Sequence, residues 1–481
     1  MSNKNKYEAI IGLEVHAQLI TQTKAYSSDR NLYGEAPNSL TSIISLAHPG
    51  TLPKVNDEVI NHAVKLGLAV GGKIRNHNQY ARKNYFYADL PKGYQITQDK
   101  TPICSGGKIK IKTDKIEKDI NITRIHMEED AGKSIHDLDP YDSLIDLNRA
   151  GVPLLEIVSE PEISSADEAY AYLNKIRTLV RYLEICDGNM EEGSLRCDAN
   201  ISVRKKGDEK FGTKVEVKNM NSSTNVKKAI DYEIKRQIKL LESGNSVVHE
   251  TRNYNALKNI TLSLRHKEKA NDYRYFPEPD LPPINISEEY IYKIQNCLPP
   301  LPDFLYKKFT EKYKLSRYDA DILIEDKNIA LYFDKICDHT NSYKLCANLV
   351  IGCIKSYLNE HALNILEIKT KAEDIAELIY LIESNKISNT AATTTILPNM
   401  LSNNLSANYI ANKHNLIQES NEDVLHHYIR QAIEKYPDKV HEYKNGKKGL
   451  IGLFMGEVMK LSKGKADPKL ANTLLKNILE K

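Results

Sequence analysis

The chain of 481 residues has no tryptophan, and its seven cysteines, at positions 104, 186, 197, 297, 337, 346 and 353, include no Cys-x-x-Cys pair. An odd, scattered set of thiols offers no disulfide framework and fits a reducing cytoplasm, where the protein is expected to work. Long apolar runs are also missing: nothing approaches the length that spans a bilayer, and the amino terminus, Met1 to Lys6, is polar. Neither export nor membrane insertion is expected. Glycine loops of the Walker and Rossmann types and the protein-kinase signature set are absent too, so the common nucleotide-binding folds are excluded. Charge of one sign is equally scarce, with 67 Lys and Arg against 64 Asp and Glu. Any contact with a nucleic acid has to come from a local patch rather than a global field.

The length is that of roughly three domains. From about Tyr7 to about Ile286 the pattern mixes strands and helices. Glu8 to Leu19 alternates: Ala9, Ile11, Leu13, Val15, Ala17 and Leu19 share one face, and Glu14, His16 and Gln18 share the other. Arg196, Asp198 and Asn200 alternate in the same way, and Thr213 to Lys218 reads as a further strand. Ser164 to Leu183 carries Ala169, Leu173, Ile176, Val180 and Leu183 at helical spacing behind a capping box of Ser165 and Glu168. Pro277, Pro279, Pro282 and Pro283, then Pro299, Pro300 and Pro302, predict an extended, stiff connector. Beyond it, Asp303 to about Leu401 reads as a helical bundle. A polar stretch, Ser402 to Asn408, leads to a last small helical piece, with nine Lys against three acids from Tyr443 to Lys481. That basic piece is either a nucleic-acid contact or an ordinary solvated lysine face.

Chemistry concentrates in the acids. His126-Met127-Glu128-Glu129-Asp130-Ala131-Gly132-Lys133 follows the strand-like run Ile120 to Ile125 and places three carboxylates where a strand ends. Glu14 with His16, Glu156 inside the apolar run Pro153 to Val158, and Asp198 are further acids on strands. An ionised Glu156 among apolar neighbours needs a partner or a metal. Several carboxylates with at most one histidine suit a hard cation such as Mg²⁺, above all one that also holds phosphates. The bland alternatives are a solvated acidic turn and ordinary ion pairs with Arg82, Lys83, Arg124, Arg149 or Arg196. The segment Arg82 to Gln95 sets basic residues beside tyrosines and Phe86, which could grip phosphates and stack on bases or merely border a core edge.

Seven ordered blocks carry a resemblance: Ile11 to His16, Arg82 to Tyr87, His126 to Lys133, Asp146 to Arg149, Glu156 to Pro161, Met190 to Asp198 and Asp272 to Pro279. Together they resemble the B subunits of aspartyl/glutamyl-tRNA(Asn/Gln) amidotransferase over essentially the whole chain. The resemblance implies an α+β, cradle-like catalytic domain (residues 1–292), an all-α helical domain (293–405) and a small all-α tail that binds tRNA (406–481). It implies an enzyme that uses ATP and Mg²⁺ to phosphorylate the side-chain carboxylate of misacylated Glu-tRNA(Gln) or Asp-tRNA(Asn), which ammonia then amidates. By matching positions, His16, Glu129 and Glu156 would hold one Mg²⁺, with Glu14 and Asp198 beside a nucleotide-linked metal. Glu14, Glu129 and Asp198 would be catalytic, Arg196 and Asn200 would contact the nucleotide, and Lys83 and Tyr85 would line an ammonia channel. The implied partners are the amidase (glutaminase) or A subunit, which makes the ammonia, and the small C subunit, in a heterotrimer; neither DNA nor a membrane is implied. Some family members carry a structural zinc just after the first strand, where this chain has Ser27, Asp29, Ser42 and Ser45, so no zinc is expected. The alternative from another class is a non-catalytic tRNA-binding adaptor with a structural acidic cluster.

Overall fold

The computed structural model describes residues 6–136, 138–266, 272–418, 422–462 and 464–480. Most of the polar amino-terminal segment thus lies outside the described residues. The chain forms two compact units, the first ending at Pro302 and the second starting at Asp303.

In the first unit the strands are β1 (Tyr7–Gln18), β2 (Lys73–Ile74), β3 (His77–Asn78), β4 (Ala81–Asn84), β5 (Tyr94–Thr97), β6 (Cys104–Ser105), β7 (Lys108–Lys112), β8 (Glu117–Glu129), β9 (Lys133–Ile135) and β10 (Leu144–Asp146). They continue with β11 (Pro153–Ser159), β12 (Leu195–Lys205), β13 (Val215–Lys218), β14 (Glu250–Asn255), β15 (Ile260–His266), β16 (Phe276–Pro277) and β17 (Ile284–Asn285). Among the described residues ten strands make one sheet, in the order β15, β14, β13, β12, β1, β11, β8, β6, β2, with β7 paired to β8. The central strand β1 is antiparallel to both neighbours, β11 and β12. The alternating apolar set of β1 is buried throughout, Ile11, Val15 and Ala17 completely.

Helices α1 (Asp57–Ala69), α2 (Ala166–Tyr182) and α3 (Ser223–Glu242) pack on the sheet. Each starts on a side-chain cap: Asn56 accepts from the Glu58 amide, Ser165 from the Glu168 amide, and Ser222 from the Asn225 amide. The Ser165 and Glu168 pair is the one expected from the sequence. Strands β13 and β14 are parallel, and α3 supplies the crossover that such a pair requires. These three helices are amphipathic, so the apolar face of the sheet is covered and its polar face is left for chemistry.

The proline-rich connector behaves differently from its sequence reading. Phe276–Pro277 pairs with Ala81 and Arg82, and Ile284–Asn285 pairs with His77 and Asn78. Glu288–Asn296 is a helix that packs on α1 and adds Ile294 to the core. Proline is tolerated because these are short edge strands, which need few backbone donors.

The second unit is helical among the described residues, as expected. Phe309 and Phe333, both fully buried, meet edge to face at 4.9 Å. A separate apolar cluster gathers Leu425, Ile429, Tyr443, Phe454, Val458, Leu475 and Leu479 from the last four helices. Among the described residues no helix is long and apolar enough to cross a membrane.

Candidate active site

Strand register maps the polar face of the sheet into rows. Asp198, Glu14, Val158 and Arg124 lie abreast on β12, β1, β11 and β8. The next row holds Arg196, His16, Glu156 and His126, and the third Gln18, Leu154 and Glu128. Direct neighbours in a row share a face. Four of the expected residues, Glu14, His16, Glu156 and Asp198, therefore come together from three strands. His16 Nε2 lies 3.4 Å from Glu14 Oε1 and 3.4 Å from Glu156 Oε2. Ligand-type atoms of Glu14, His16 and Asp198 all fall within 4.8 Å of one another, and so do those of His126, Glu128 and Glu156.

Glu129 is not part of this group. A bulge explains why: Val158 pairs with Arg124 but Ser159 with Ile122, so Thr123 is an extra residue in β8. Before it, Ile120 and Ile122 face the core; after it, Ile125 and Met127 do. Arg124, His126 and Glu128 are thereby turned onto the polar face, and Glu129 onto the other. There Glu129 accepts from the Ile96 amide at 2.8 Å and from Lys92, and lines a small cleft with Tyr26, Ser27, Lys92 and Gly151. The position beside His16 and Glu156 that the resemblance gave to Glu129 is filled by His126 and Glu128. His126 Nε2 is 3.3 Å from Glu156 Oε2 and 3.4 Å from Glu128 Oε2.

The other expected residues border this cluster. Lys83 Nζ is 3.2 Å from Glu128. Tyr85 sits among Tyr87 and Tyr273 at 5.8 and 6.1 Å between ring centres. Arg196 donates to Asp130 at 2.7 Å, and Asn200 stands opposite Gly12, two residues along β12 from Asp198. Lys218 and Asp198 meet at 2.5 Å. Of the cations offered as partners for the acids, Arg82 is committed elsewhere, forked onto buried Glu278 at 2.7 and 2.9 Å.

Electrostatics follow from this crowding. Burial, then repulsion from Glu156, raises the Glu14 carboxyl above its ordinary range. Burial opposes charge on His126 as well, yet Glu156 and Glu128 push its pKa up to about 9. His16 is likewise raised by Glu156 and Glu14 against the cost of burial. Burial works against ionised Glu156 too, and the two imidazoles hold it well below the usual range. Lys83 does the same for Glu128. The end around Glu14 and Asp198 is only partly buried, and its oxygen donors with one imidazole suit a hard divalent cation.

Two supporting features make predictions. Gly132 donates to Asp89 O at 2.8 Å, and a Cβ there would lie 2.9 Å from Asp89 O and 2.9 Å from Asp146 O. Gly132→Ala should destabilise the protein by about 1–3 kcal/mol in urea unfolding, because both carbonyls as well as the Leu147 side chain, 2.8 Å away, must move. The loop after β1 is tied by Asp29, which accepts from the Ser42 amide and hydroxyl at 3.1 Å and from Ser45, with fully buried Lys24 4.0 Å away. Burial lowers the Lys24 pKa to about 8 against the pull of Asp29. Since the unfolded lysine keeps its proton to about pH 10.4, stability should rise with pH between these values. The urea midpoint of the native protein should therefore gain more between pH 7 and pH 9.5 than that of Lys24→Met; equal gains would refute the assignment.

Comparison with known proteins agrees with the geometry. Residues 9–292 match the GatB/GatE catalytic domain, and residues 331–479 match the GatB domain. The aspartyl/glutamyl-tRNA(Asn/Gln) amidotransferase B subunit of Thermodesulfovibrio yellowstonii is 45% identical over 475 residues, covering 99% of this chain and 100% of that protein. The B subunits of the same enzyme from Rickettsia typhi and Rickettsia bellii are 47% and 46% identical over 479 residues, each alignment covering 99% of both chains. A chain matched along nearly all its length by these B subunits belongs to the family of aspartyl/glutamyl-tRNA(Asn/Gln) amidotransferase B subunits.

Proposed function

We propose that this chain is the kinase and transamidase component of a tRNA-dependent, glutamine-hydrolysing amidotransferase, and that the polar sheet face is its phosphorylation site. The observation that carries this reading is the convergence of Glu14, His16, Glu156 and Asp198 from β1, β11 and β12. An aminoacyl carboxylate is a poor electrophile because its leaving group would be oxide. In the proposed reaction a carboxylate oxygen of misacylated Glu-tRNA(Gln) or Asp-tRNA(Asn) attacks the γ-phosphorus of ATP, and the bond to the bridging oxygen breaks, releasing ADP. Ammonia then attacks the acyl carbon, phosphate leaves, and the amide remains.

Glu14, His16, Glu156 and Asp198, with Glu128 in the place first expected of Glu129, would hold Mg²⁺. When bound, that ion would offset charge on the phosphates. Arg196 and Asn200 flank the Asp198 end and would contact the nucleotide. Lys83 and Tyr85 lie beside Glu128 and would guide ammonia arriving from the amidase or A subunit, with the small C subunit completing the heterotrimer. Residues 1–292 would form the catalytic domain, 293–405 the helical domain and 406–481 the tail. Lys444, Lys447, Lys460 and Lys469 belong to the tail, and side-chain atoms at Gly452 or Gly456 would meet nothing within 4 Å, as close contact with an RNA backbone would need. The macromolecular substrate is tRNA rather than DNA. The unpaired thiols among the described residues suit the cytoplasm, and the serines and Asp29 after β1 are poor zinc ligands.

The test uses the reconstituted heterotrimer with misacylated tRNA, ATP and an ammonia source. Chelating divalent ions should abolish both ADP release and amide formation, and added Mg²⁺ should restore them. Metal-independent turnover would eliminate the cation, and tRNA binding with no ATP use would favour the adaptor reading.

A further inference from the structure

The bulge at Thr123 has a product that the proposed reaction has not used. Arg124 would continue the core-facing series of Ile120 and Ile122 if β8 were regular; instead the extra residue turns it to the polar face, abreast of Val158 and in the row of Glu14 and Asp198. An arginine turned toward solvent needs no explanation. Arg124 is only partly exposed, and its Nε is buried without a hydrogen-bond partner.

Its neighbours make this unusual. Lys83 is paired with Glu128, Arg196 and Arg149 with Asp130, and Lys218 with Asp198. Among the described residues at this face, Arg124 is the guanidinium that makes no ion pair, although Glu14 lies in its own row. A buried, unpaired donor is costly, more so when charged, so its retention calls for a partner that the chain does not supply. That partner must be anionic, and it must reach a row already crowded with carboxylates.

We propose that Arg124 is a catalytic residue that grips the oxyanion of the phosphoryl group being transferred, an inference that rests on the phosphorylation site proposed above. A guanidinium presents a planar pair of N–H donors matched to two phosphate oxygens, and it cannot lose its charge near neutral pH. Placed opposite Glu14 and Asp198 across Val158, it approaches the phosphoryl group from the side away from those acids and would add to the cation in opposing charge on the equatorial oxygens. The substrate carboxylate, the other oxyanion in this reaction, would be poorly served there: a guanidinium bound to it would weaken it as a nucleophile.

The test compares the heterotrimer carrying Arg124→Ala or Arg124→Lys with the unmodified complex, using ATP and misacylated tRNA. In R124A, kcat for amide formation should fall about a hundredfold or more, while KM for misacylated tRNA moves less than about threefold. Guanidinium chloride should restore at least about tenfold in R124A and do nothing for the unmodified complex, a rescue that a merely structural role would not give. R124K keeps the charge and stem but not the fork, and should still lose about tenfold or more in kcat with an unchanged melting temperature. If R124A does not assemble, R124K alone decides. Overturning results are kcat within about threefold of the unmodified complex in either variant, a loss in R124A that guanidinium fails to restore, or an effect confined to KM for tRNA, which would assign the guanidinium to the carboxylate. An unmodified complex that forms no amide from ATP would refute the underlying phosphorylation site instead.

Discussion

Glu156→Gln is expected to slow ATP-dependent amide formation by about a thousandfold or more, equivalent to about 4 kcal/mol in the barrier. Glutamine has the shape of glutamate, so the packing of β11 survives while the charge disappears. That charge sits midway in its row, with His16 Nε2 at 3.4 Å on one side and His126 Nε2 at 3.3 Å on the other. Both imidazoles favour the carboxylate form of Glu156 despite burial. A neutral amide there would weaken cation binding and free both rings to reorient. Single-turnover measurement of ADP release and amide formation checks this, with thermal melting as the control for folding. A variant within tenfold of the native rate would remove Glu156 from the machinery and leave it a structural acid.

Glu233→Ala should be the most damaging single change to stability in the first unit, at about 3–5 kcal/mol. The Glu233 side chain is fully buried on α3, with Arg236 forked onto it at 2.9 and 2.6 Å and Arg252 Nε 3.6 Å away. Thr261 and Gln237 also donate to it, at 2.9 and 3.0 Å, and Gln237 reaches Ile201 O at 3.2 Å. Truncation would remove one of the two acids that Arg236 and Arg252 share, leaving Glu250 as their remaining acidic partner. Because the network joins α3 to β12, the strand that carries Asp198 and Arg196, the loss should appear first as a lower unfolding midpoint and then as lower activity near the melting temperature. Glu233→Gln, which loses the charge but keeps an acceptor, should cost less; equal losses would show that the charge alone accounts for the effect.

Much of this was legible in the chain. Two-residue periodicity identified both faces of β1 and the shared face of Arg196, Asp198 and Asn200, because a central strand with one apolar face has no freedom to slip. The cap and spacing of α2 were equally plain. Neighbouring Glu128 and Glu129 could not be told apart, since an extra residue at Thr123 reverses the alternation, and a bulge leaves no mark in composition. For the same reason the sequence does not single out His126 and Arg124 as site residues, although His126 stands opposite Glu156. The pairing of Phe276–Pro277 and Ile284–Asn285 with strands near residue 80 was hidden by proline, which marks extended backbone but not whether that backbone finds an edge.

The place of β1 in the sheet also bears on how the molecule is made. Strand β1, in the middle of the finished sheet, leaves the ribosome well before its partners and waits for β11 and β12, the latter ending at Lys205. At roughly 5–20 residues per second, that wait lasts about 10–40 s. Throughout it, a nascent segment with one wholly apolar side and both hydrogen-bonding edges bare is exposed to other chains. Biogenesis of this protein should accordingly depend on holdase binding early in translation, at a stage before any acid of the site has a neighbour.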